Sequence, residues 1–456
     1  MELEHGVYFQ QYGDVTYLRH TGQRKDYLFG GSAKSILDYL AANPGCKVNE
    51  LLASLSDEYD LEDDPAFQTE VEEFVQQLEE KGILKNKRPQ VMEPDLPSYA
   101  RKLAVQNHQL FSVTLELTYR CNERCVHCYV DDPIDSRQEL SLAEYQSLFD
   151  ELLELGCMDV LLTGGEVTMR KDFLEIAQCA VDKGLCVDIY TNGLSLSTSQ
   201  IERLAAMGLN SVSFSLYGPD AESHDAITKI PGSFDRTMRS ILMCKCAGID
   251  VYAKTVVMKQ NYDKLEELMR LGKLLGISIN IGLIVSVSHG GKSADMFRLM
   301  DPEKYQKAIE LVHTYDVDGD CQLEPEGHDP ALCGAGATGL SIDPYGNVMP
   351  CNAFHESMGN IRSCRLKKIW NDAPFLKTLS RLSFEDVCSQ KGNCKYARWC
   401  SICIGAIYSE HHTWTVTPDV CMMACGVCKA NLACNKNNFH QEVTSYEKRI
   451  HEPEKR

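Results

Sequence analysis

The sequence predicts an α/β protein: a partial (β/α)6 TIM-like parallel barrel between a small N-terminal winged-helix-like domain and a C-terminal loop-rich domain. Three observations carry that expectation. Strand-like runs alternate with amphipathic helical runs through the middle of the chain, and a short strand–strand–strand–helix pattern precedes them. Twelve of the 21 cysteines fall between Cys321 and Cys434. At 456 residues, 44% hydrophobic and 24% charged, the chain has the length of about three domains and an ordinary globular composition.

Residues 1–97 read as one module. Val7 to Gln11 and Val15 to Arg19 alternate apolar and polar side chains, as half-buried strands do, and Tyr27-Leu28-Phe29 is a third strand. Helical patterns follow over Ala33 to Ala42, Val48 to Ser56 and Phe67 to Lys81; in the last, Val71, Phe74, Val75 and Leu78 share a face. Asn43-Pro44-Gly45 and the acidic stretch Asp57 to Asp64 separate these helices. The proline-rich stretch from Arg88-Pro89 to Pro97 is a linker and sets the first boundary.

Residues 98–320 alternate strand and helix. Strands begin near Phe111, Met158, Cys186, Ser211, Val251 and Ile277, spaced 47, 28, 25, 40 and 26 residues apart, the size of βα units. Ser141-x-x-Glu144 and Ser197-x-x-Gln200 are capping boxes at helix starts. Six such units make most of a parallel barrel, with functional loops at the C-terminal ends of its strands. The first gap is longest because a cysteine trio interrupts it. From 321 to 456 the alternation stops, and cysteine, glycine and asparagine punctuate the chain, as in a segment folded around metal.

The net charge of −19, from 46 basic and 65 acidic residues, argues against nucleic-acid binding. The opening MELEHGVYFQQYGD has no apolar core of signal length, and no apolar run approaches the roughly 20 residues that span a bilayer. The expectation is a cytoplasmic protein with no membrane or nucleic-acid partner. Clustered thiols there are reduced and serve as metal ligands or redox centres rather than disulfides.

Cys121-Asn-Glu-Arg-Cys125-Val-His127-Cys128 directly follows the first barrel strand. Three thiolates so close can hold three irons of a [4Fe–4S] cluster and leave the fourth iron without a protein ligand. The alternative is a structural zinc site, but zinc wants four closed ligands, and ligation by His127 between two thiolates would strain the loop. Thr163-Gly164-Gly165-Glu166 ends the second strand, where two glycines allow close backbone approach and a carboxylate can pair with an ammonium. Thr191-Asn192-Gly193 ends the third strand and Ser213-Phe214-Ser215-Leu216-Tyr217-Gly218 the fourth; His224-Asp225 and Gly232-Ser233-Phe234-x-Arg236 follow.

These motifs resemble those of the radical S-adenosylmethionine (SAM) superfamily. The resemblance implies a [4Fe–4S] cluster on Cys121, Cys125 and Cys128, with SAM chelating the open iron through its amino and carboxylate groups. Its reductive cleavage would yield a 5′-deoxyadenosyl radical that abstracts a substrate hydrogen. The implied cofactor-binding set is His127, Gly164, Gly165, Glu166, Asn192, Ser215 and Arg236, the last nearly as well read as a surface helix arginine.

The later cysteines resemble the SPASM extension of radical SAM enzymes. Carried over position by position, Cys333, Cys351 and Cys403 would bind auxiliary cluster I, and Cys388, Cys394, Cys400 and Cys421 auxiliary cluster II, for three [4Fe–4S] clusters in all. Cluster I then wants a fourth ligand, either Cys321 or a substrate thiolate. Cys425, Cys428 and Cys434 exceed the need of two clusters and are open to serving as swapped ligands, a zinc site or inert thiols. Cys46, Cys157, Cys179, Cys186, Cys244, Cys246 and Cys364 read as core or surface residues.

The N-terminal pattern resembles the PqqD-like peptide-recognition domain, which takes a precursor's leader as an added strand. A generic winged helix is the alternative, although a DNA role sits poorly with Asp57 to Asp64. The whole is most similar to the sactipeptide and ranthipeptide synthases. It implies thioether formation in a ribosomally made precursor peptide, with an external electron donor of the flavodoxin or ferredoxin type; no catalytic base is identified. Carbon–carbon cross-linking and epimerisation are the enzymatic alternatives, and a zinc-rich interaction protein the non-catalytic one. Sulfatase maturation is disfavoured because Asn352, not an aspartate base, follows Pro350-Cys351.

Overall fold

The computed structural model describes residues 1–59, 65–84, 96–130, 137–315, 333–388 and 403–434. Strands β1 (Val7–Tyr12), β2 (Val15–His20) and β3 (Lys25–Gly30) form an antiparallel sheet in chain order. Tyr12 pairs with Val15, so the first hairpin loop is Gly13-Asp14. Gly13 takes φ 61° there, the left-handed conformation that twist-matched two-residue hairpins need. Helices α1 (Ala33–Ala42), α2 (Val48–Tyr59) and α3 (Pro65–Glu80) follow. Their Ile36, Leu37, Leu40, Leu51, Leu55, Val71 and Leu78 bury Leu18 and Phe29 of the sheet in a core of their own.

The sheet's other face is apolar as well. Tyr8, Tyr12 and Tyr17, with Ala100 and Ala104 of α4 (Leu96–Gln106), pack on Phe111, Met158 and Cys186 at the N-terminal ends of the barrel strands. Tyr12 stacks on Phe111 at 5.3 Å, and the Tyr8 hydroxyl donates to the Gly208 carbonyl at 2.7 Å. Arg19 pins this joint: its guanidinium donates to Asp159 at 2.8 Å, to Asp26 at 3.1 Å and to the Tyr17 hydroxyl at 2.7 Å. Burial lifts the Asp159 carboxyl above its ordinary range more than Arg19 draws it down. Residues 85–95, most of the expected linker, lie outside the described residues.

The strands expected to form the barrel are β4 (Ser112–Glu116), β5 (Asp159–Thr163), β6 (Cys186–Thr191), β7 (Ser211–Ser215), β8 (Val251–Val256) and β9 (Ile279–Gly282). They pair in parallel and in chain order. Helices α5 (Leu142–Glu154), α6 (Phe173–Asp182), α7 (Thr198–Met207), α8 (Ala221–Thr228), α9 (Ser233–Cys246) and α10 (Leu265–Leu275) connect them. Both capping boxes form, with Ser141 and Ser197 accepting from the backbone of Glu144 and Gln200.

The C-terminal region departs from the loop-rich expectation. After α11 (Pro302–Tyr315), β10 (Gly339–Ile342) joins the barrel sheet parallel to β4, and β11 (Asn347–Met349) and β12 (Gly359–Asn360) continue it antiparallel. Among the described residues the sheet therefore has nine strands rather than six, because an uncovered β4 edge would leave its backbone groups unpaired. Helices α12 (Leu366–Asp372), α13 (Pro374–Leu379), α14 (Phe384–Val387), α15 (Ile404–His411) and α16 (Pro418–Cys434) complete the region. Phe354, Leu379, Val387, Ile404 and Ile407 give it an apolar core. Helix α16 lies against α11 so closely that a Cβ on Gly426 would sit 2.4 Å from the Pro302 carbonyl oxygen. No helix among the described residues is long and apolar enough to cross a membrane.

Arg19 and Asp159 leave only 15% and 14% of their side chains exposed, so removing one partner strands a buried charge. Arg19→Ala is expected to cost about 3 kcal/mol and to expose the N-terminal module to protease. Denaturant unfolding and limited proteolysis check this; wild-type stability would show that the joint does not depend on the ion pair.

Candidate functional site

The cysteine loop leaves the C-terminal end of β4 and is held by the end of α8. The Arg124 amide donates to the Thr228 carbonyl and the Val126 amide to that of Ile227, each at 3.0 Å; the Cys128 amide donates to the Cys125 carbonyl at 3.1 Å. Burial pushes the Cys121 thiol up to about 12 and the Cys125 thiol higher still, with the Cys128 charge contributing to both. Ligation to a cationic metal centre would reverse that preference by replacing the proton. The three thiols thus sense one another, yet among the described residues no three His, Cys, Asp or Glu side chains meet at the spacing of a single ion. A cluster with irons at separate corners takes one thiolate per corner, and this donor set fits it.

His127 packs edge-on against Tyr217 at 4.8 Å between ring centres. Burial lowers its pKa to about 4, so it is a neutral imidazole at pH 7, and its buried Nδ1 has no hydrogen-bond partner among the described residues.

The glycine turn serves the chain itself. Gly164 has φ 136°, and a Cβ there would lie 2.4 Å from the Thr118 carbonyl oxygen; one on Gly165 would lie 2.6 Å from that of Arg120. The Gly165 amide donates to the Thr118 carbonyl at 2.7 Å and the Glu166 amide to that of Arg120 at 2.9 Å. Glu166 also has partners of its own within the chain. It is 1% exposed; its Oε1 accepts from the Thr168 amide, the Thr168 hydroxyl and the Thr191 hydroxyl at 3.0, 2.7 and 2.7 Å. Its Oε2 accepts from the Asn192 amide at 2.6 Å. Glu166 is therefore first a tie between the ends of β5 and β6, and only Oε2 retains acceptor capacity for an ammonium.

Asn192 reaches the cysteine loop: its side-chain amide donates to Asn122 Oδ1 at 2.6 Å and lies 4.0 Å from Cys121 Sγ. Ser215 ends β7 and hydrogen-bonds Tyr217. Arg236 is exposed on α9, its Nε donating to the Gly232 carbonyl at 3.1 Å. Its charge reaches Glu123. Sequence reasoning missed Glu123, a 5% exposed carboxyl that accepts from the Cys125 thiol at 3.2 Å; burial raises its pKa to about 7. It also missed Glu116, whose one signal was a charge between Leu115 and Leu117.

A second thiol group forms in the C-terminal region. Cys333 precedes β10, Cys351 follows β11, and Cys403 caps α15, its Sγ accepting from the Ala406 amide at 3.5 Å. Burial raises all three thiols, and Cys351 reaches about 12 with Cys403 and Cys333 adding to the effect. Cys388 ends α14; Cys421, Cys425 and Cys428 ride on α16, exposed, half-buried and buried. A helix thus replaces the loop expected for that tail. Cys321, Cys394 and Cys400 lie outside the described residues, as does the side chain of Cys434. None of the described cysteines outside these gaps is in a disulfide.

Comparison with known proteins adds identity to this geometry. Residues 115–272 match the model of the radical SAM superfamily, and residues 333–404 that of SPASM, an iron–sulfur cluster-binding domain. The AdoMet-dependent heme synthase of Methanosarcina barkeri is 27% identical over 326 residues, 65% of this chain and 92% of that protein. The mycofactocin maturase of Mycobacterium ulcerans is 31% identical over 302 residues, 62% and 80% of the respective chains. The crystal structure of Streptococcus suis SuiB bound to its precursor peptide SuiA shares the fold, with a TM-score of 0.58 over 84% of this chain and 90% of that one at 16% identity. The chain belongs to the radical SAM superfamily and carries a SPASM iron–sulfur cluster-binding domain.

Proposed function

We propose that this chain is a peptide maturase that acts on a ribosomally made precursor and forms a thioether between a cysteine sulfur and a carbon. The observation that carries the radical chemistry is the three-thiol loop at the mouth of the barrel, braced by the Gly164–Glu166 turn and by Asn192. With SAM bound to a [4Fe–4S] cluster on Cys121, Cys125 and Cys128, this site would supply a 5′-deoxyadenosyl radical for hydrogen abstraction. Asn192 orients the loop at Cys121, and neutral His127 walls it on the Tyr217 side. Cys333, Cys351 and Cys403 are the proposed ligands of auxiliary cluster I, with Cys388, Cys394, Cys400 and Cys421 on auxiliary cluster II. Cys321 or a substrate thiolate fills the fourth position of cluster I. An external flavodoxin- or ferredoxin-type donor and a cytoplasmic location complete the reading.

Similarity to the PqqA peptide cyclase of Rhizobium meliloti, 28% identical over 283 residues, 57% of this chain and 72% of that protein, supports a peptide substrate. The N-terminal sheet favours it over heme chemistry: among the described residues β1 and β3 each pair on one side only, and such edges accept an extended peptide as an added strand.

Two outcomes test the proposal. Anaerobic incubation of the reconstituted protein with SAM, reductant and a cysteine-containing precursor should remove two hydrogens per cross-link, read by mass spectrometry. Deoxyadenosine without any change in the peptide, across precursors encoded beside the gene, would sink it. Replacing Cys121, Cys125 and Cys128 together by Ala should lower bound iron from about 12 to about 8 atoms and abolish SAM cleavage; retained cleavage would refute the assignment of the radical site.

A further inference from the structure

Glu116 is the last residue of β4 and is 1% exposed. Its two carboxylate oxygens are divided between two tyrosines: Oε2 accepts from the Tyr119 hydroxyl at 3.0 Å, and Oε1 from the Tyr129 hydroxyl at 2.5 Å. Tyr119 stands two residues before Cys121, and Tyr129 directly follows Cys128. One carboxylate thus holds the chain where it enters the cysteine loop and where it leaves it.

The two rings are fixed from outside as well. Both meet His289 edge-on, at 5.5 and 5.4 Å between ring centres, and the His289 amide donates to the Tyr129 carbonyl at 2.8 Å. Tyr119 also meets Tyr345, beyond β10, edge-on at 5.8 Å. Contacts from β4, from the segment after β9 and from the β10–β11 turn therefore converge on the base of the loop.

A buried carboxyl at this point is expensive. Burial pushes it up to about 7 against the pull of the Tyr129 and Tyr119 hydrogen bonds, and Asp343 adds to the rise. An apolar residue would fill the strand end at lower cost. What it would not do is accept from both hydroxyls at once, one on each side of the thiols.

We propose that Glu116 is a positioning residue that sets the shape of the cysteine loop and, through it, the affinity with which the cluster's open iron takes SAM. This rests on the reading that Cys121, Cys125 and Cys128 hold the SAM-binding cluster. Residues that orient metal ligands typically contribute about 10–100-fold to affinity or activity, and the same scale applies here.

The test uses the full chain, reconstituted anaerobically. SAM affinity is read from the change SAM induces in the electron paramagnetic resonance spectrum of the reduced protein. Glu116→Ala should weaken SAM binding by about 10-fold or more while total iron stays at the wild-type level. Glu116→Gln should restore binding close to wild type, because an amide accepts from one tyrosine and donates to the other. Wild-type affinity in the Ala variant would overturn the proposal, as would a Gln variant no better than Ala. If the Ala variant does not fold, Tyr119→Phe with Tyr129→Phe removes both hydroxyls and keeps both rings. Unchanged SAM affinity in that pair overturns the proposal, and weakened affinity supports it. Failure of the wild-type protein to respond to SAM would instead overturn the underlying cluster assignment.

Discussion

The exits of β4 and β5 approach so closely that a Cβ on Gly164 or Gly165 would fall 2.4 or 2.6 Å from a backbone oxygen. That approach is set by parallel pairing along the two strands, which ends with the Leu117 amide donating to the Thr163 carbonyl at 2.8 Å. Once the strands are in register, the next residues of both chains must run side by side or diverge, and only glycine lets them stay together. The Thr118–Arg120 segment is thereby fixed, and with it the point from which the cysteine loop departs. Glu166 then carries the order sideways, since its carboxylate collects donors from Thr168, Thr191 and Asn192. Asn192 returns to the loop at Asn122. The result is a closed circuit of backbone and polar contacts around the thiols, in which Thr118, Glu166, Thr191 and Asn192 are buried.

The same economy links the two thiol groups. By adding β10 to the edge of β4, the chain covers an otherwise open strand and also delivers Cys333 and Cys351 to the flank of the barrel. The register Leu340 to Val113 and Ile342 to Leu115 brings Asp343 level with Glu116, and the turn that follows places Tyr345 against Tyr119. Separation into a barrel and an appended cluster region is a fair description of the sequence, where the cysteines crowd after residue 321. It describes the packing less well, because one nine-stranded sheet runs through both.

What could be read from the sequence was local. Strand starts, capping boxes and the C-x3-C-x2-C loop are set by residues within a few positions of one another, so periodicity and spacing expose them. Non-local partners left little trace. Glu166 reads as a free carboxylate in a list of residues, and only the β5–β6 pairing shows that Asn192 and Thr191 occupy it. Glu116 and Glu123 look like ordinary surface charges until the fold buries them. The edge addition of β10 was hidden for a related reason: a four-residue strand far along the chain carries no periodicity of its own, and its partner is chosen by the edge that needs covering. The helix bearing Cys421, Cys425 and Cys428 departs from the loop-rich expectation, because the run of cysteine, glycine and asparagine suggests a loop while the intervening Ala, Met and Val residues suit a helix face.

The N-terminal module raises the last point. Its sheet is apolar on both faces, one buried by its own helices and the other by the N-terminal ends of the parallel strands, where Phe111, Met158 and Cys186 begin them. Among the described residues, the edges β1 and β3 are what remain for a peptide. Under the proposed function, the leader would be held at the floor of the barrel while the chemistry takes place at its mouth. A barrel strand of six residues such as β6 rises about 20 Å, so a bound precursor needs an extended spacer of at least about 6 residues to pass from one end to the other. Substrate choice would then depend on two separated contacts joined by a length, and a rigid joint between module and barrel is what keeps that length meaningful. The buried Arg19–Asp159 pair and the tyrosine cluster around it make the joint rigid, which gives an otherwise costly buried ion pair a reason to be there.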